Sequence, residues 1–192
     1  MPGCSNRNRR ITAVPVLLAA IGLTACGGQA QGGRFEVHAV DASWSNGRME
    51  VSFEQALSLS PEARNALVHG VPLTLALELV LRDAKTQTRL KKHRAQYEIR
   101  YLPLSEHYQL SRPGSDASQT FPRLRHALAE LGSLELEVET GALPRGEYEL
   151  LTRSFLDKQE MPPPMRLPVL FSPRWSHESE WTSWPLNIEP GA

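Results

Sequence analysis

The histidines are the first side chains to weigh for chemistry. His38, His69, His93, His107, His126 and His177 are spread along the chain. No two stand at i, i+4 of a helix or i, i+2 of a strand, the spacings that aim two imidazoles at one ion. Both cysteines, Cys4 and Cys26, lie near the N-terminus, so the bulk of the chain offers no thiolate ligand. The histidines therefore read as scattered surface or helix-end residues, and no metal or other cofactor is expected. The G-x-S-x-G, S-x-x-K and H-E-x-x-H patterns are absent, so no catalytic residue is assigned. A hydrolytic set assembled in space from distant residues stays open as the alternative. Glu135, Glu137 and Glu139 alternate, which puts three like charges on one strand face, a solvated arrangement rather than an acid/base pair.

Two other groups suit binding. Arg89, Lys91, Lys92 and Arg94 form a basic run with His93. On a strand these cations fall on both faces, so the run is expected to project beyond the fold as a hairpin, either merely solvated or touching lipid headgroups, lipopolysaccharide or an acidic partner. Trp175, Trp181 and Trp184 crowd the last twenty residues. They are expected to cap a core, or else to form an exposed aromatic ridge.

Cys26 has the best-defined chemistry. Arg7, Arg9 and Arg10 precede an apolar run from Ile11 to Gly22, and no acidic residue occurs before Glu36. The run is shorter than the ~20 residues of a membrane span and has the length of a signal-peptide core. It ends in Leu23-Thr-Ala-Cys26, which resembles the lipobox of bacterial lipoproteins. The resemblance implies cleavage after residue 25, lipidation of Cys26 and a stable membrane anchor. Gly27, rather than an acidic residue, follows the cysteine, which by likeness to lipoprotein sorting implies the outer membrane, with the domain on the periplasmic side. Residues 26–33 read as a flexible tether and 34–188 as one domain. Loss of the leader leaves 18 basic and 21 acidic side chains. So balanced a charge offers nucleic acid no bulk attraction and excludes that class of partner.

The elements that must position these residues are mostly strands. Phe35, Val37 and Ala39 alternate with polar residues, as do Met49, Val51 and Phe53 beyond a Ser45-Asn-Gly47 turn. Ser60 and Pro61 start a short helix that Gly70 closes. Leu73 to Leu81 place five leucines on one face, with Thr74, Glu78 and Arg82 on the other. Strands ending near Tyr101, around Tyr108, at Leu134–Val138 and at Tyr148–Leu156 follow, with a second helix over 122–131 and a loop over 112–118. Beyond Met161, Pro162 to Pro164 read as a rigid crossover into the tail. The pattern predicts a mainly β fold: an antiparallel β-sandwich, Ig-like in general architecture, of about seven strands and two short helices.

Several ordered segments resemble the proteobacterial family catalogued as Domain of Unknown Function 4390. They are Ala66-Leu67-x-x-Gly70-Val-Pro-Leu73, Tyr97-x-Ile99-x-Tyr101 with Leu104-Ser105-x-x-Tyr108-x-Leu110, Phe121-x-x-Leu124-x-x-Ala127-Leu128-x-x-Leu131-Gly132, Leu156-Asp157 before Met161-Pro162, and Trp175 through Glu180-Trp181-x-x-Trp184-Pro-Leu186. The resemblance covers about 35 to 188. It implies a secreted or membrane-anchored protein without assigned activity, with an accessory role in envelope signalling as a conjecture. Relatives tend to be tryptophan-rich in the hairpin before the Tyr97 strand, where this chain has Lys and Arg. The expected function is a non-catalytic, lipid-tethered periplasmic module that binds an envelope protein. The alternatives are an envelope hydrolase and a carrier of a small apolar ligand.

Overall fold

The computed structural model describes residues 33–188. The leader expected over 1–25, Cys26 and all of the tether but Gly33 lie outside the described residues. In chain order the elements are β1 (Arg34–Ser45), β2 (Arg48–Ser58), α1 (Pro61–Val68), β3 (Leu73–Asp83), β4 (Arg89–Leu102), β5 (His107–Ser111), β6 (Ser118–Phe121), α2 (Leu124–Glu130), β7 (Ser133–Glu139), β8 (Gly146–Leu156), α3 (Pro163–Leu170) and β9 (Thr182–Ile188). All pairing is antiparallel. One sheet has the order β1-β2-β7 and the other β6-β5-β4-β3-β8-β9, so the fold is a β-sandwich.

The alternating residues dictate the core. Met49, Val51 and Phe53 of β2 and Leu134, Leu136 and Val138 of β7 are buried, while Glu135, Glu137 and Glu139 face solvent as their spacing predicts. Opposite them lie the odd-numbered leucines of β3, which share one face with Tyr97 and Ile99 of β4 and with Leu150 and Leu156 of β8. The β1–β2 turn holds Asn46 and Gly47 at φ 50° and 83°, the left-handed pair that matches the twist of a two-residue hairpin. Ser60 caps α1, its side chain accepting from the Ala63 N–H at 3.1 Å.

Among the described residues nine strands stand where about seven are read from the sequence, and three α-helices where two helices are. The added strands, β6 and β9, are the two edges of the larger sheet, where short or proline-bearing segments pair without a full hydrophobic alternation. Pro185 sits in β9 opposite Glu149, a place an edge strand tolerates because one side of its backbone needs no partner. The expected crossover after Met161 instead folds as α3, with proline in its first turn, where the missing N–H would have no helical partner. The basic run does not project either. Lys91 to Arg94 pair in register with Leu81 to Glu78 of the central strand, so most of the run is part of the sheet.

Candidate functional site

β3 is buried on both faces. Its inner face meets the smaller sheet, and its outer face carries Thr74, Ala76, Glu78, Val80 and Arg82. Antiparallel register sets Glu78 directly opposite Arg94 on β4 and Arg153 on β8, and residues so paired share a face. Lys92, one rung on, reaches back to the same carboxylate. The Glu78 carboxylate lies 3.1 Å from Lys92 Nζ, 3.8 Å from Arg94 Nη1 and 2.8 Å from Arg153 Nη2. The long cationic side chains roof it, leaving Glu78 4% exposed. Beside it, Asp157 accepts from Arg94 and, at 3.0 Å, from Gln96 Nε2. The Asp157 side chain also accepts the Gln159 N–H at 3.1 Å, which fixes the turn after β8. Arg82 and Glu149 add a further pair four residues along β3, at 2.6 Å.

Aromatic rings complete the face. The Arg94 and Arg153 guanidiniums lie 5.1 and 4.7 Å from the centre of the Phe155 ring, and Arg153 is also 4.8 Å from that of Trp181, within the range of cation–π attraction. Burial raises the Glu78 carboxyl, but the hydrogen bonds and charges of Lys92 and Arg153 outweigh it and hold the group below its ordinary value. A carboxylate so held stays ionised near neutral pH, which does not suit a general acid, and its oxygens are already taken by Lys92, Arg94 and Arg153. What the face offers is recognition. Planar guanidiniums stacked on rings present N–H donors to carboxylate or phosphate groups at small entropic cost.

The sequence-derived candidates divide. Lys92 and Arg94 belong to this face. Arg89 and Lys91 are exposed and have no acidic partner within 4 Å among the described residues. Trp175 is buried and caps the core, and Trp184 is half-buried with its indole N–H donating to the buried Thr152 hydroxyl at 3.0 Å. Trp181 alone stays 45% exposed. The three tryptophans therefore serve the core and the surface separately, and no single ridge forms. Glu78, Arg153, Phe155 and Asp157 escape the sequence reading. The signal for Glu78 was present, as it is the one charged residue inside the Leu73–Leu81 run.

His177 also departs from expectation. It is 1% exposed and accepts the Ser60 N–H on Nε2 at 2.9 Å, and its ring meets Phe35 edge-on at 5.7 Å. Its backbone carbonyl accepts from Leu156 N–H at 2.8 Å. Burial pushes its pKa down. It is a structural joint between β1, α1 and β8, not a surface residue. Gly33 packs against it so closely that a Cβ there would overlap the ring and come within 2.6 Å of the Ser58 carbonyl.

Among the described residues no cluster of three or more His, Cys, Asp or Glu has the arrangement of a metal site. A cleft of about 350 Å³ lies between β4, β5 and α2, lined by Tyr97, Leu110, Leu131 and Leu134, with Arg112 over the Tyr97 ring and donating to its hydroxyl at 2.9 Å.

Fold and face together define a small β-sandwich domain whose polar chemistry is concentrated on the outer surface of one sheet. The family model described as Domain of unknown function (DUF4390) matches residues 33–185, and the chain belongs to that family. Comparison with curated proteins and with solved structures gave no match.

Proposed function

We propose that this chain is a lipid-anchored interaction module on the periplasmic side of the cell envelope, which holds an acidic envelope partner on the outer face of its six-stranded sheet and is accessory to envelope signalling. One observation carries the reading. Lys92, Arg94 and Arg153 outnumber Glu78 and Asp157 on one partly exposed face, with Trp181 as an apolar contact beside them. The carboxylates are saturated, so the surplus donors are left to a partner's carboxylates or phosphates. Cys26 supplies the anchor, and its Gly27 neighbour favours the outer membrane.

The test is cross-linking of the full-length protein in living cells, comparing wild type with a variant carrying Trp181→Ala and Lys92→Gln. A single envelope protein captured by wild type and lost from the variant is the expected outcome. Charge reversal of Lys92 and Arg94 is unsuitable, since both neutralise the buried Glu78. Hydrolysis of an envelope substrate by the pure protein, abolished by one point substitution, would overturn the reading.

A further inference from the structure

The strands give the sandwich two distinct ends. Leu73 pairs with Ile99 and Leu75 with Leu156, so the start of β3 and the finishes of β4 and β8 lie together. His177 ties them to the finish of β2, since it bonds both Ser60 and Leu156. Gly33, packed on the same imidazole, brings the chain into the domain at this end. The β3–β4 turn at Ala84–Thr88 lies at the other end, one strand of eleven residues away, or roughly 35 Å.

Exposed apolar side chains gather at the entry end. Val68 closes α1, Leu104 is fully exposed in the β4–β5 connection, and Leu167, Leu170 and Phe171 of α3 and its exit are 67%, 47% and 84% exposed. Leu167, Leu170 and Phe171 fall at i, i+3 and i+4, one helical face, while Val169 points inward. Of the other large exposed apolar residues, Leu90 stands towards the far end and Trp181 on the sheet face. Surface apolar residues scattered singly need no cause, but three side by side on one helical face do.

We infer that this end of the sandwich sits on the lipid bilayer, with Leu167, Leu170 and Phe171 inserted at the headgroup boundary. The inference rests on the anchoring of Cys26 proposed above. The seven steps from Cys26 to Gly33 span at most about 25 Å, so the anchor brings this end to the membrane. Around α3 the charges nearly balance: Asp157 pairs with Arg94 and Arg174 with Glu62 at 3.3 Å, which leaves Lys158 and Arg166 against Glu160. Apolar insertion therefore carries the contact, which will be insensitive to salt and will not require anionic lipid. Docked so, the molecule points Arg89 and Lys91 away from the membrane and stands the Glu78 face upright beside it.

The experiment uses the full-length acylated protein in phosphatidylcholine vesicles containing doxyl-labelled lipid. A fluorophore is placed by Leu167→Cys or, as a reference, by Thr86→Cys. Quenching at 167 is expected to exceed that at 86 by at least about threefold, as suits insertion of ~5–10 Å. It should persist in high salt. Replacing Leu170 and Phe171 by Gln should remove that excess without shifting the thermal midpoint. Protein that floats with the vesicles but is quenched equally at both positions overturns the inference and leaves the anchor intact. If mass analysis finds no acyl chain, the anchor fails. Vesicle flotation of that unacylated protein, lost on Leu170→Gln with Phe171→Gln, would then uphold the apolar end, and no flotation would overturn it.

Discussion

Glu78 and His177 are buried polar residues held in opposite ways. Glu78 is kept charged by three cations, so its removal leaves them unneutralised against a packed sheet. Glu78→Ala is expected to cost about 2 kcal/mol in urea unfolding, less than a fully buried pair because its partners are partly solvated. Its folded pKa lies below the ordinary 4.5, so its contribution is present above that pH and is lost as pH falls through the folded value. His177 is kept neutral. With Nε2 accepting from Ser60, a second ring proton would face an N–H. Its folded pKa is below 6.5, so the unfolded chain takes up the proton first and stability falls as pH drops below 6.5. His93, lowered by burial and by Lys91, acts with the same sign. Urea midpoints at pH 7.5 and 5.5 should differ in wild type, and His177→Gln should lower the first and narrow the difference. A variant with an unchanged pH slope would remove His177 from this role.

Among the elements, the edges of the larger sheet were the least legible. The β2, β7 and β8 alternations mark their strands because each buries every second residue, and β3 shows through its alternate leucines although both its faces are buried. β9 carries Trp184, Pro185 and Leu186 in a segment that reads as an irregular tail, and β6 has four residues, three of them exposed. Their pairing is set by β8 and β5, not by their own pattern. Likewise the charged face was invisible as a unit, because Glu78, Arg94 and Arg153 come from three strands and only the register unites them. The basic run reads as projecting because both its faces are cationic. The buried acid that receives one of those faces lies on another strand. Trp184 is one of β9's fastenings through Thr152. Trp184→Phe should keep the ring packed but leave the buried hydroxyl without its donor, a loss of about 1–2 kcal/mol by chemical denaturation. No loss would mean that β9 is held by its backbone pairing alone.

At the scale of the whole molecule, the polar face and the apolar end divide the surface by chemistry. The acidic partner proposed for the face would be held by charge and is expected to be lost steeply as ionic strength rises towards 0.5 M, where the screening length falls to about 4–5 Å. Co-sedimentation of the cross-linked partner across a salt series reports this, and salt-independent capture would reassign the contact to Trp181 and neighbouring apolar surface. The most direct test of the account places a photo-reactive amino acid at Trp181 on the outer face of the larger sheet, and separately at Glu135 on the outer face of the smaller one, in the full-length protein in living cells. One discrete adduct from position 181 and none from 135 is the expected result. Equal adducts from both faces, or adducts only from 135, would contradict the assignment of the Glu78 face as the binding surface.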